Sequence, residues 1–196
     1  DGNLIAKTDG ADDWTYSYND ENRLTQVTTP DGSWAYQYDI FGNRNATVSN
    51  GQRIEYLLDP AGIGTVVDEY DGSGTVLAKY TYGLGLTARK DATGQIFYYD
   101  FDAIGSTVGL TGSNGSYLNR YSYLPFGETL RSSERISNPF GYLGNWGIPG
   151  EGSSLHFTRA RYYDSGLARF QGVDPIGLLG GNTNLYSYVG NNPVNM

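Results

Sequence analysis

Along this chain, short runs with an apolar or aromatic residue at every second position alternate with turn dipeptides. In Trp34-Ala35-Tyr36-Gln37-Tyr38 the aromatic side chains fall on alternate positions and so share one face of a strand. Asp9-Gly10, Asp31-Gly32, Asn50-Gly51, Asp71-Gly72 and Asn114-Gly115 punctuate such runs, and these dipeptides accept the positive φ of tight hairpins. Leu155 to Tyr163 alternates well enough for a strand. Asn145 to Ser154 reads as a long turn-rich loop, and Ser132-Ser133-Glu134-Arg135 as a linker. No segment carries a helical period, beyond a single turn of helix expected at Ser165 to Phe170. Pro175 and Pro193 interrupt any ladder.

A Tyr-x-Tyr pair recurs at Tyr16/Tyr18, Tyr36/Tyr38, Tyr80/Tyr82, Tyr121/Tyr123 and Tyr186/Tyr188. Tyr38-Asp39-Ile40-Phe41-Gly42-Asn43-Arg44 repeats the frame of Tyr18-Asn19-Asp20-Glu21-Asn22-Arg23, with Gly42 in the place of Asn22 and the Arg one position later. Gly and Asn both accept the left-handed conformation. Tyr123-Leu124-Pro125-Phe126-Gly127 is a further copy, and Tyr56 to Gly62 a looser one. A period near about twenty residues predicts stacked hairpin units in one long, coiling antiparallel sheet. In this sheet Tyr16, Tyr18, Tyr36, Tyr38, Tyr121 and Tyr123 form a stacked ladder, and Gly42 and Gly127 mark its bends. A β-sandwich is the competing architecture.

Composition supports an all-β reading. The 196 residues include 18 Tyr and 28 Gly, and only 17% are charged. A net charge of -8 argues against nucleic acid as a partner, because phosphate neutralisation needs clustered cations. The chain has no Cys, which excludes disulfide and thiolate chemistry. No apolar stretch is long enough to span a bilayer. Asp1-Gly2-Asn3-Leu4-Ile5 has neither the basic start nor the apolar core of a signal peptide. The chain reads as a piece of something longer.

Arg159-Ala160-Arg161-Tyr162-Tyr163-Asp164, then Leu167-Ala168-Arg169-Phe170, Asp174-Pro175-Ile176-Gly177-Leu178 and Asn184-Leu185-Tyr186-Ser187-Tyr188-Val189-Gly190-Asn191-Asn192-Pro193-Val194-Asn195 follow one another near the C-terminus. This run resembles the RHS-repeat-associated core, and Tyr38 to Arg44 resembles the YD repeat that accompanies it. Ala103-Ile104-Gly105-Ser106-Thr107 is similar to a further stretch of that core.

The resemblance implies an all-β fold: a spiralling antiparallel sheet of YD-repeat hairpins over residues 1–135, forming part of a shell, and an irregular core or plug over residues 136–196 packed on the same sheet. It also implies a function. Such shells encapsulate and present a C-terminal toxin or effector, and their core positions an aspartate-dependent self-cleavage site. A cell-surface adhesion or glycan-binding module without cleavage is the alternative. Upstream YD repeats and a C-terminal toxin are the implied partners, open sheet edges offer self-association, and the implied location is secreted or cell-surface by bacterial-type export. No cofactor is implied.

Aspartate-pair cleavage needs two carboxylates with separated proton affinities. By the resemblance Asp174 is the one catalytic candidate, aimed by Pro175 and Gly177. The family's second Asp-Pro-x-Gly would follow Met196 and is absent, so the site is at most half of an autoproteolytic centre. The plainer reading is that Asp174 caps a turn. Arg161 is placed to hold a carboxylate bidentately, or else, like Arg159 and Arg169, to tie loops together. His156 is the only His. It reads as a strand residue with a satisfied nitrogen, since a Ser-His-Asp triad has no nucleophile-elbow spacing here. Gly83-Leu84-Gly85 and Gly180-Gly181 open no helix and are turns rather than phosphate loops. Asp68-Glu69-Tyr70-Asp71-Gly72 lacks the ligand frame of a calcium loop. The tyrosines fill a sheet interface or, on an outer face, stack on sugars.

Overall fold

The computed structural model describes residues 2–61, 64–151 and 154–194. Gly62, within the looser repeat, the Gly152-Ser153 part of the long loop, and Asn195 and Met196 at the chain end lie outside the described residues.

Thirteen strands form one antiparallel sheet in sequence order. They are β1 Ala6–Asp9, β2 Asp12–Tyr18, β3 Leu24–Thr29, β4 Gly32–Tyr38, β5 Arg44–Ser49, β6 Gln52–Leu58, β7 Val66–Asp71, β8 Val76–Tyr82, β9 Leu86–Asp91, β10 Ile96–Phe101, β11 Thr107–Gly112, β12 Tyr117–Tyr123 and β13 Thr129–Ser133. Asp9-Gly10, Asp31-Gly32, Asn50-Gly51, Asp71-Gly72 and Asn114-Gly115 lie at hairpin tips along one rim of this meander. The expected linker at Ser132 is corrected: its first half is strand, because the ladder to β12 runs on to Ser133.

The other rim carries the YD turns. Asn19 Oδ1 accepts the backbone N–H of Glu21 and Arg23, Asp39 Oδ1 those of Phe41 and Asn43, and Asp102 Oδ1 those of Ile104 and Ser106, at 2.8–3.1 Å. One short side chain thus replaces the ladder bonds that the turn forgoes. Four residues after Tyr18, Tyr38, Phe101 and Tyr123 the backbone is left-handed, at Asn22 (φ 61°), Gly42 (85°), Gly105 (90°) and Gly127 (91°).

The strand entering each YD turn ends in an aromatic pair or its equivalent, and its last residue sits at a register shift, as at Tyr18, Tyr38, Tyr82 and Tyr123. There the strand bends and twists. The last tyrosine then reaches back to the start of the unit: Tyr18 Oη donates to Leu4 O (2.9 Å), Tyr38 Oη to Leu24 O (2.6 Å) and Tyr82 Oη to Val66 O (3.0 Å). Tyr186/Tyr188 is the exception. It lies outside the sheet, among the turns of the C-terminal segment.

The C-terminal segment packs on the tyrosine face. Its three-stranded sheet comprises β14 Leu155–Phe157, β15 Tyr162–Asp164 and β16 Arg169–Phe170. The single strand expected over Leu155 to Tyr163 is a hairpin, broken where Arg159 turns left-handed (φ 66°). The helical turn expected from Ser165 is a tight turn between β15 and β16, pinned by Asp164 Oδ1, which accepts from Gly166 and Leu167 N–H. Three apolar clusters join the two parts: Phe140 against Tyr80 and Leu110, Leu155, Phe157 and Tyr162 against Tyr16 and Tyr36, and Tyr142, Tyr163 and Tyr188 against Tyr123.

These contacts require the sheet to curl. Leu4 N–H, just before β1, donates to Gln171 O, and Gln171 Nε2 donates to Asp164 Oδ2. The next residue back, Tyr163, donates through its hydroxyl to Phe126 O in the turn after β12. From β2 to β12 a flat sheet would measure about 48 Å at roughly 4.8 Å per strand. A few residues of the plug bridge that interval, so the sheet wraps around it as a partial coil with the plug on its concave side. Among the described residues the sheet does not close on itself: β1 pairs only with β2, and β13 only with β12.

Candidate functional site

A cleft of about 560 Å³ opens between the first two YD turns and the plug, lined by Asn22, Arg23, Phe41 and Asn43 on one side and by Arg159, Arg161, Gln171, Asp174 and Pro175 on the other. Asp174 is held by its own backbone. Its N–H donates to Leu185 O (3.0 Å), and its C=O accepts from Gly177 N–H (2.9 Å), where Gly177 turns left-handed (φ 58°). Its side chain does two things. Oδ1 accepts the Ile176 N–H (3.1 Å), the turn cap expected from the sequence, and Oδ2 pairs with Arg161 Nη2 (2.9 Å).

Arg161 is placed by the turn that Thr158 closes through its hydroxyl to Arg161 O (2.7 Å). Its guanidinium lies 3.6 Å from the Phe170 ring centroid, and Nη1 donates to Leu185 O (3.2 Å). Of the two roles the sequence offered, Arg161 takes that of tying loops together: rather than gripping one carboxylate bidentately, its fork spans from Asp174 to the turn at Leu185. Burial lowers the Arg161 pKa, opposed by the Asp174 charge. The other carboxylate on the cleft, Glu21, is engaged by Arg23 at 2.5 Å.

Arg159 Nη2 donates to Trp146 O (3.2 Å), and Arg169 lies over the Tyr186 ring at 4.5 Å. Both tie loops together. His156 is the strand residue expected, buried on β14, but its Nδ1 is unpartnered, and burial pushes its pKa down to about 4. The carboxylates of the Asp68 to Asp71 stretch diverge. Asp68 pairs with Lys79, Glu69 is buried on the inner face, and Asp71 caps its own turn. Among the described residues no cluster of acidic, His or Cys side chains could hold a metal ion.

Sequence reasoning missed the most buried ionic contact. Arg44 pairs with Glu151 of the plug, ringed by Phe157 (4.5 Å), Tyr36 and Tyr56 (5.4 Å each), with the Tyr162 hydroxyl at 3.4 Å. Burial pushes the Glu151 carboxyl up and the Arg44 charge pulls it back. The available signal was the frame itself, since Arg44 stands six residues after Tyr38 where buried Leu24 stands six after Tyr18.

An antiparallel meander of Asx-turned units, coiled around a plug made by its own C-terminal segment, defines a repeat-sheet protein. Comparison with known proteins agrees. The family model for the RHS Repeat matches residues 1–33 and 18–54. The chain is 32% identical over 191 residues to the tRNA3(Ser)-specific nuclease WapA of Bacillus spizizenii, covering 92% of this chain and 8% of that protein. It is 26% identical to the double-stranded DNA deaminase toxin A of Burkholderia cenocepacia, covering 97% of this chain and 16% of that one. The crystal structure of TcdB2-TccC3 superposes with a TM-score of 0.73 at 22% identity, over 93% of this chain and 10% of that one. The chain is an RHS/YD-repeat protein. It spans only a small fraction of the length of these relatives.

Proposed function

We propose that this chain is the C-terminal part of an RHS/YD-repeat shell that encloses a C-terminal toxin or effector, and that its plug positions an aspartate-dependent self-cleavage site at Asp174. The observation that carries the reading is the plug itself. Residues from Phe140 onward fill the concave side of the sheet and bring Asp174 and Arg161 to a cleft beside the first two repeat turns. Relatives named as a nuclease and a deaminase toxin support cargo of that kind. Arg161 would orient the Asp174 carboxylate, and a second carboxylate supplied by chain beyond Met196 would complete the pair. Export to the cell surface or beyond belongs to the same proposal; among the described residues no helix is long and apolar enough to cross a membrane.

Intact mass of a parent extended about a hundred residues beyond Met196, beside its Asp174→Asn variant, tests this. Two fragments from the former and one chain from the latter are expected. Equal cleavage in both would remove Asp174 from the reaction. The adhesive reading keeps one observation in its favour: Tyr98 and Tyr117 are exposed on the outer face, each paired in register with Thr111 between them. Saturable glycan binding lost in Tyr98→Ala would favour it, and no saturable signal would end it.

A further inference from the structure

The two rims of the sheet differ in chemistry. Along the hairpin rim the residues between strands, 10–11, 30–31, 50–51, 72–75, 92–95 and 113–116, include no Leu, Ile, Phe or Trp. Along the YD rim the β4–β5 turn presents Ile40 at 90% and Phe41 at 81% exposure, and the β8–β9 turn presents Leu84 fully exposed. The plug adds to this rim. Trp146 is exposed and donates through Nε1 to Ile104 O in the β10–β11 turn. Pro175, which shares a cleft with Phe41, leads into a short 3-10 turn whose Leu178 and Leu179 are exposed. Exposed apolar side chains gathered on one side of a molecule mark a surface that is covered.

The curvature says by what. The sheet is curled so far that the ends at Leu4 and Phe126 meet one small plug, and the outer edge of β1 is unpaired. A strip this curled that continues past β1 cannot re-enter the arc held by β12 and β13. It must pass beside itself, rim against rim. We propose that the YD rim is the joint to the preceding turn of the same repeat sheet, with Ile40, Phe41 and Leu84 seated against it and the hairpin rim left to solvent. This rests on the reading of the chain as part of a longer repeat shell and names which side of it faces the rest.

The sequence has no Cys, so single thiols report cleanly. In a cysteine-free full-length parent, Ile40→Cys and Leu84→Cys on the YD rim would be compared with Thr93→Cys and Asn114→Cys on the hairpin rim, by rate of labelling with a maleimide. Each rate would be normalised to that of the same parent unfolded in urea. The two YD-rim thiols are expected to react at least about tenfold slower than the hairpin-rim thiols. Equal rates on both rims, or slower reaction on the hairpin rim, would overturn the joint. Protection that disappears on dilution would overturn it in favour of a second copy of the chain. The outcome is independent of cleavage: an uncut parent with a protected YD rim would sink the self-cleavage reading and keep this one.

Discussion

At the residue scale, two buried ionisable groups govern the seat of the plug. Arg44 occupies the place that Leu24 holds in the preceding unit, so an apolar side chain is sterically at home there. Arg44→Leu alone leaves Glu151 buried without its cation, and a loss of about 3–5 kcal/mol is expected in urea unfolding. Adding Glu151→Leu removes the stranded charge, and the double variant is expected to regain most of that loss. A double variant as unstable as the single one would show that the ion pair itself is required. His156 acts through pH. Its folded pKa, about 4, lies below the ordinary 6.5 because of burial, so between those values only the unfolded chain binds the proton. Stability is fully present above about pH 6.5 and is lost as pH falls through 4, by about 3 kcal/mol in all. His156→Phe is expected to flatten that part of the pH–stability curve; an unchanged slope would place the acid sensitivity elsewhere.

At the element scale, the unit of this fold was largely legible because its signals are local. The Asx residue, the left-handed position four residues after the aromatic, and the alternating aromatics all lie within one turn and one strand. What the sequence did not reveal lies between distant residues. Tyr186 and Tyr188 look like another pair but serve long-range contacts, Tyr186 Oη donating to Gly2 O (2.7 Å) and Tyr188 packing 4.0 Å from the Tyr163 ring. The Arg161 fork was aimed by a partner carbonyl, Leu185 O, that no local spacing announces. Turn glycines that look alike in sequence therefore differ in cost. Gly10 and Gly127 are both left-handed, but a Cβ on Gly10 meets open space, whereas one on Gly127 would stand 2.5 Å from the buried Tyr142 ring. Gly10→Ala is expected to cost about 1 kcal/mol, from backbone conformation alone. Gly127→Ala is expected to cost about 2–3 kcal/mol, because the ring must also move. Thermal unfolding of the two variants side by side checks the contrast, and equal losses would mean that the Tyr142 ring yields freely.

At the scale of the whole molecule, the sheet and the plug are expected to fold as one unit rather than as a scaffold with an appendage. An isolated antiparallel sheet can leave one face in water only if that face is polar, and here the inner face carries Tyr16, Tyr36, Tyr80 and Tyr99, all buried. Much of what buries them comes from the plug, through Phe140, Leu155, Phe157 and Tyr162. The plug in turn has only short strands of its own, and its three-stranded sheet is buried against the tyrosine face. Neither part has a second layer without the other, and a domain needs two. Ending the chain after Arg135 is therefore expected to give a sheet that binds hydrophobic dyes, elutes as an aggregate and unfolds without a cooperative transition. A monomeric fragment 1–135 with a sharp urea transition would show instead that the tyrosine ladder stabilises itself strand by strand, and that the plug is carried rather than required.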